Sequence, residues 1–274
     1  MNGLALCAGY GGLDIGIDLA LGGKLRTVCY VEREARAAET LVARMEDEAL
    51  ERAPIWDDLR TFDGRPWRGR VDILTAGYPC QPFSHAGKRL GTDDPRHLWP
   101  EVRRILGETA APMAFFENVR GHVRNGLAEV LADLDADGFD AEWGVLGAGD
   151  VGAPHKRDRL WIFAFRQSMA YASSSRLPQP QRNADGERVE AFGPAPELRS
   201  TSLVGDQTWP PAPNDSDGWD CAETAAEPAV CGVANGSAEG VDNRERLRML
   251  GNGVVPLAAA YAFRTLTARA GLRF

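Results

Sequence analysis

The chain of 274 residues has no run of about 18 apolar residues, the length a membrane helix requires, so no membrane span is expected. Met1 leads within a few residues into a structured-looking segment without a basic start and apolar stretch, so no secretory leader is expected either. Cysteine is sparse: Cys7, Cys29, Cys80, Cys221 and Cys231 make an odd number, and no two stand at C-x2-C spacing. A disulfide framework and a structural zinc site are therefore not expected, and no metal is assigned. The ordinary reading is reduced thiols, several of them buried, in a cytoplasmic protein. Positive charge is also scarce, with 31 Lys+Arg against 39 Asp+Glu and a net charge of -8. At first sight such a chain is a poor partner for nucleic acid. Lysine is nearly missing: only Lys24, Lys88 and Lys156 occur, so the basic residues are overwhelmingly Arg. What is present, 44% hydrophobic and 26% charged residues, is the composition of a folded globular protein.

From Gly3 to about Arg166, short apolar runs alternate with helical patterns. Short apolar runs predict strands at 4–8, 27–31, 71–76 and 113–116, and aromatic and β-branched content predicts two more at 142–146 and 160–165. Helices are predicted at 14–21, 34–50, 97–109 and 123–134 from apolar residues at helical spacing. This order implies a mostly parallel sheet covered on both faces, an α/β fold. Residues 166–245 change in texture: Pro, Ser, Asn, Asp and Gly dominate, as in Pro210-Pro211-Ala212-Pro213-Asn214. A regular amphipathic helix returns at 257–270 after Gly251-Asn252-Gly253. The simplest organisation is one large domain, 1–165 with 246–274, interrupted by a smaller region at 166–245.

Several residues fall at predicted strand ends, where open α/β sheets bind their ligands. Ala8-Gly9-Tyr10-Gly11-Gly12 follows the first strand and opens the first helix, a place where backbone and helix amides can approach a ligand closely. Asp14 stands where a dinucleotide fingerprint would have its third glycine, which lowers a nicotinamide reading. Glu32 ends the second strand, spaced to accept from ribose hydroxyls, and Asp58 could accept from an adenine amine. Cys80 sits in Gly77-Tyr78-Pro79-Cys80-Gln81-Pro82-Phe83-Ser84, a proline-stiffened loop after a strand and not an ordinary core position. Glu117 follows the apolar run Met113-Ala114-Phe115-Phe116, where half-burial would raise its pKa and suit it to proton donation. Arg157 and Arg159 lead into the next strand, and alternation would set them on one face.

Together these motifs resemble those of the DNA (cytosine-5-)-methyltransferases. AGYGGLDIG (8–16), VERE (31–34), WDDL (56–59), GYPCQPFSHAG (77–87), DPR (94–96), ENVR (117–120), DVGAPHKRDR (150–159) and GNGVVP (251–256) occur in that family's order. The resemblance implies a Rossmann-like S-adenosylmethionine-dependent methyltransferase sheet with a small inserted target-recognition region at 166–245. It implies methyl transfer from S-adenosylmethionine to carbon 5 of a flipped-out cytosine in a short double-stranded DNA site. Cys80 would be the nucleophile at carbon 6, Glu117 would hold ring nitrogen 3 and the exocyclic amine, and Arg159 with Arg157 would contact the oxygen at position 2. The cofactor would lie on Ala8, Gly9, Tyr10, Gly11, Gly12, Glu32, Asp58, Leu59, Gly77, Pro79, Asn252 and Val254. Gln81, Ser84, Lys88, Arg89 and Arg96 would face DNA. The family type further implies a bacterial or phage-encoded modification enzyme, a cognate restriction endonuclease as a partner, and action as a monomer. A tRNA cytosine methyltransferase and a non-catalytic DNA-binding relative are the alternatives. Two residues depart from the family pattern: Cys7 stands where Phe is usual, and His155 where Gln precedes the paired arginines.

Residues 166–250 hold 8 Arg against 13 Asp and Glu, so the recognition region is itself acidic. Any DNA affinity must come from a local cleft lined by residues such as Lys88, Arg89, Arg96, Lys156, Arg157 and Arg159. Arg166, Arg176, Arg182, Arg188, Arg199 and Arg244 are candidate readers of base edges within or beside that region.

Overall fold

A computed structural model of the chain describes residues 1–79, 98–166 and 253–274. Seven strands form one sheet: β1 (Asn2–Leu6), β2 (Arg26–Val31), β3 (Ile55–Trp56), β4 (Ile73–Ala76), β5 (Met113–Val119), β6 (Phe139–Leu146) and β7 (Arg159–Arg166). Their order is β3-β2-β1-β4-β5-β7-β6. The first five pair in parallel, whereas β7 runs antiparallel to both β5 and β6. A mostly parallel sheet was therefore the right expectation, with one reversed strand. The five described helices are α1 (Gly12–Leu21), α2 (Ala35–Glu46), α3 (Trp99–Thr109), α4 (Leu127–Ala136) and α5 (Pro256–Arg269).

Strict alternation along the strands builds a core on each face of the sheet. Leu4, Leu6, Leu74, Ala76, Ala114, Phe116, Leu160 and Ile162 point toward α3 and α4. Their neighbours Ile73, Met113, Phe115, Trp161, Phe163 and Phe165 point the other way, into the layer of α1 and α5. There Phe115 stacks on Trp161 at 5.7 Å and meets Phe263 of α5 edge-on at 5.3 Å. Burying one such aromatic contributes roughly 1.5–3 kcal/mol. α1 and α5 approach backbone to backbone because Gly16 has no side chain. A Cβ there would come within 2.5 Å of the Pro256 carbonyl oxygen and of Ala259 Cβ. This contact explains how the C-terminal helix rejoins the domain that the first helix begins.

Element boundaries differ from the sequence reading in physically clear ways. The helix expected at 34–50 ends at Glu46, because Glu48 adopts a left-handed φ of 59° and Ala49 and Leu50 both bond back to the Arg44 carbonyl. The helix expected at 123–134 splits: residues 120–123 form a 3-10 turn and α4 begins only after Gly126, whose φ is 123°. β3, two residues long, is too short to show any period and was not anticipated. No described helix is long and apolar enough to cross a membrane. The region 166–245 lies outside the described residues except for Arg166. The guanidinium of that arginine covers the Phe139 ring at 4.0 Å and donates to the Asp137 carbonyl at 2.6 Å.

Candidate active site

Parallel strands deliver their C-terminal ends to one edge of the sheet, and the first of them ends in the glycine loop. Gly9 and Gly11 have φ of 56° and 81°, left-handed values that let the chain reverse directly into α1. The Gly11 amide donates back to the Ala8 carbonyl at 2.9 Å, closing the turn. The first amides of α1 have no acceptors within the helix, so they are available to a ligand's acidic end. Ala8, Gly9, Tyr10 and Gly12 line a recess together with Cys7, Asp14, Gly77, Glu117, Gly253 and Val254, while Gly11 turns toward Leu41 and Leu50. Its enclosed part measures ≈ 30 Å³, about the share of one water in the liquid.

Glu32 has a structural task that its spacing did not reveal. Its two oxygens accept from the Gly9 amide and the Glu34 amide, each at 2.7 Å. The carboxylate thus fastens the glycine loop to the end of β2. Burial raises its pKa, while the two amide hydrogen bonds oppose that rise. A carboxylate offers about four lone-pair positions, so acceptor capacity remains for a ribose hydroxyl. Asp58 opens the next turn, accepting from the Arg60 amide at 3.0 Å, and Leu59 is buried behind it. The Leu59 carbonyl is held by Arg104 at 3.0 Å.

The second half of the edge is made of side chains. Odd-numbered positions of β5 face α1 and α5, so Glu117 follows Phe115 and enters the recess, while Asn118 turns to the opposite face. There Asn118 donates to the Tyr78 carbonyl at 3.1 Å, securing the segment that leads to Cys80. Glu117 is 8% exposed, and burial pushes its pKa up to about 7 against the lowering pull of Arg159 and Arg157. Arg159 Nε lies 2.9 Å from Glu117 Oε1. The antiparallel register explains the meeting: Arg159 pairs with Val119, so the start of the one reversed strand lands where β5 ends.

Arg157 is not on the strand. β7 begins at Arg159, and Arg157 lies before it with a left-handed φ of 39°. Alternation therefore does not place it. Its guanidinium donates to the Gly253 carbonyl instead, joining the β6–β7 connection to the segment before α5. Cys7 lines the recess half-buried, with φ of 50° and its thiol pushed up to about 12, chiefly by burial. Cys29 is buried and pushed up to about 11 for the same reason, so both behave as neutral thiols.

The structure thus brings together Ala8, Gly9, Tyr10, Gly12, Gly77, Glu117 and Val254 at the recess, with Arg159 paired to Glu117 and Glu32 and Arg157 tied to the same loops. Pro79 is exposed at the end of the described segment. Cys80, Gln81, Ser84, Lys88, Arg89, Arg96 and Asn252 lie outside the described residues. Sequence reasoning missed Arg44, which is 3% exposed and bonded to the glycine loop. A single arginine on the buried stripe of an amphipathic helix was the available signal.

A family model described as C-5 cytosine-specific DNA methylase matches residues 1–212. Type II methyltransferase M.NgoMIV of Neisseria gonorrhoeae is 35% identical over 184 residues, covering 65% of this chain and 55% of that protein. Type II methyltransferase M.NlaX of Neisseria lactamica is 34% identical over 212 residues, covering 74% of this chain and 63% of that protein. The chain spans less than two-thirds of the length of either relative. Among solved structures, the Dnmt2 methyltransferase of S. pombe superposes with a TM-score of 0.61 at 17% identity, over 98% of this chain and 99% of that one. Entamoeba histolytica methyltransferase EhMeth gives a TM-score of 0.61 at 13% identity, over 98% of each chain. At these identities the likeness to both structures is one of fold.

Proposed function

Because the chain belongs to the family of C-5 cytosine-specific DNA methylases, we propose that it methylates carbon 5 of a flipped-out cytosine in a short double-stranded DNA site, through a covalent Cys80 adduct at carbon 6. The observation that carries this reading is buried Glu117, which lines the same recess as the glycine loop and pairs at 2.9 Å with half-buried Arg159. A carboxyl and a guanidinium side by side match the donor and acceptor edge of a cytosine, and a base inside a duplex could not reach them without leaving the stack.

The recess fits S-adenosylmethionine in kind. Glycine-loop and helix amides suit its carboxylate end, Glu32 its ribose, and Asp58 with Leu59 its adenine; Gly77, Pro79, Asn252 and Val254 complete the walls. When bound, this cosubstrate supplies an electrophilic methyl on sulfonium. The chain's own residues prepare the nucleophile. The Cys80 thiolate adds to carbon 6, the carbon 5–carbon 6 double bond gives way, and carbon 5 gains the electron density that attacks the methyl. Glu117, holding a proton near neutral pH, donates to ring nitrogen 3 and offsets the charge gathering there. Arg159 keeps Glu117 in place and, with Arg157, answers charge at the oxygen of position 2. Loss of the carbon 5 proton then expels the thiolate and restores the ring.

In this reading Gln81, Ser84, Lys88, Arg89 and Arg96 contact DNA and residues 166–245 select the site. The enzyme acts as a monomer in a bacterial cytoplasm, host- or phage-encoded, and protects DNA from a cognate restriction endonuclease. The test is transfer of labelled methyl from S-adenosylmethionine to duplex DNA or tRNA, beside Cys80→Ala. Label in DNA that disappears in the variant is expected. Label only in tRNA, or none with either, would overturn the proposal.

A further inference from the structure

The cation buried deepest among the described residues is Arg44, in the last turn of α2. A guanidinium taken out of water costs several kcal/mol unless good partners meet it, so its surroundings report what it is for. Its Nη1 donates to the Tyr10 backbone carbonyl at 2.8 Å, and its Cζ lies 5.1 Å from the centre of the Tyr10 ring. One side chain therefore grips Tyr10 by its carbonyl and by its aromatic face.

Tyr10 is the middle residue of the glycine loop. Its carbonyl shares a rigid peptide plane with the Gly11 amide, and that amide donates to the Ala8 carbonyl at 2.9 Å. With Arg44 at one end and Ala8 at the other, this plane cannot turn, and the direction of the first amides of α1 is set. The Tyr10 ring also decides where the C-terminal segment lies. A Cβ on Gly253 would overlap the Tyr10 phenol, so the two are in close contact, and Val254 beside it lines the recess.

We infer that Arg44 is a positioning residue for the cosubstrate site, holding the glycine loop through Tyr10 and, through the Tyr10 ring, seating Gly253 and Val254. It touches neither reactant. The inference rests on the reading of the recess as the S-adenosylmethionine site. It assigns α2 a part in that site beyond covering the sheet, since Arg44 links the helix to the loop by a side-chain hydrogen bond.

The test separates binding from chemistry. Arg44→Met keeps the length of the stem and leaves no buried charge behind; Arg44→Lys keeps charge and donor but loses the flat face. Affinity for S-adenosylhomocysteine, measured by titration calorimetry, is expected to fall about tenfold or more in Arg44→Met and less in Arg44→Lys. KM for S-adenosylmethionine should rise in parallel, with kcat at saturation nearly unchanged. Tyr10→Ala, which keeps the carbonyl but removes the ring, should also weaken binding. Amide hydrogen exchange at residues 9–12 should be faster in both Arg44 variants, a readout that needs no ligand and serves also where Arg44→Met is too unstable to assay. Unchanged affinity with unchanged exchange at 9–12 would overturn the inference, as would a loss of kcat at unchanged affinity. Wild type that binds no S-adenosylhomocysteine would instead overturn the reading of the recess, and exchange at 9–12 would still judge Arg44.

Discussion

Glu32 directly follows β2 and Glu117 lies near the C-terminal end of β5, yet they are held in opposite ways. Glu32 is bound by two backbone amides, and Glu117 by one guanidinium. An amide-bound carboxylate fixes the course of the chain. A carboxylate bound at one oxygen by a side chain keeps its second oxygen and its proton for something else. The same contrast runs through both halves of the site. The β1–β2 half is built from glycines, peptide planes and helix amides, whereas the β5–β7 half is built from charged side chains, with Glu117 buried and Arg157 and Arg159 half-buried. The first is a scaffold that sets geometry, and the second is a tuned pair that meets charge.

The contrast predicts that damage to the two halves falls on different kinetic constants. Glu117→Gln should lower kcat about 100-fold or more, since it removes a proton donor matched to the working pH. Affinity for S-adenosylhomocysteine should hardly move. Steady-state kinetics on duplex DNA with parallel calorimetry checks this, and an equal loss in both constants would break the division. Glu32→Gln replaces one acceptor oxygen by a donor, so either the Gly9 or the Glu34 amide loses its partner. Leaving a buried donor unpaired costs about 1–3 kcal/mol, which corresponds to an affinity lower by about tenfold. Here kcat at saturating S-adenosylmethionine should stay close to wild type.

The pH dependence sharpens the same point. Burial pushes Glu117 up to about 7, with Arg159 and Arg157 pulling the other way. Its protonated form, the one that the proposed mechanism needs, is therefore depleted as pH rises through about 7. We expect kcat at saturating substrates to decline on the alkaline side of that value and the decline to vanish in Glu117→Gln. A profile that is flat through pH 7 in wild type would mean that the carboxyl is already ionised when it meets the base.

How much of this was legible beforehand depended on range along the chain. The continuous apolar run Met113 to Phe116 and helical spacing in α2 are local signals, and both elements formed as read, within a few residues. The strand-end positions of Glu32 and Glu117 were legible for the same reason. The partner of each was not. Glu32 lies 23 residues from Gly9 and its carboxylate was read as a ribose acceptor, because spacing carries no information on how a side chain will bend back. Arg159 was read as part of a charge pair with Arg157 by alternation, but its meeting with Glu117 follows from the reversal of β7. The signal for that reversal was present: no helical pattern separates Leu146 from Arg159, and strands joined without a crossover helix pair antiparallel. Arg157 escaped alternation because a left-handed residue interrupts the strand before it starts.

A third carboxyl provides the smallest and cleanest test of how partners govern these acids. Asp14 is 2% exposed in the first turn of α1, and its Oδ1 accepts from Thr75 Oγ1 at 3.1 Å. Its Oδ2 has no hydrogen-bond partner among the described residues. Burial pushes its pKa up from 3.8 to about 7, against the lowering pull of Thr75, its own backbone amide and Thr27. Below pH 3.8 the carboxyl is neutral in both folded and unfolded chains and costs nothing. Between 3.8 and about 7 the unfolded chain gains by ionising while the folded one stays neutral, so stability falls; above about 7 the cost is constant. Asp14→Asn removes that dependence and can still accept from Thr75. The variant's melting temperature should match wild type near pH 4 and exceed it by several degrees at pH 8, since about 1 kcal/mol shifts a chain of this size by about 2–4 °C. A difference that does not grow with pH would mean that Asp14 is ionised in the folded protein, and that burial alone does not decide the charge of an acid on this edge.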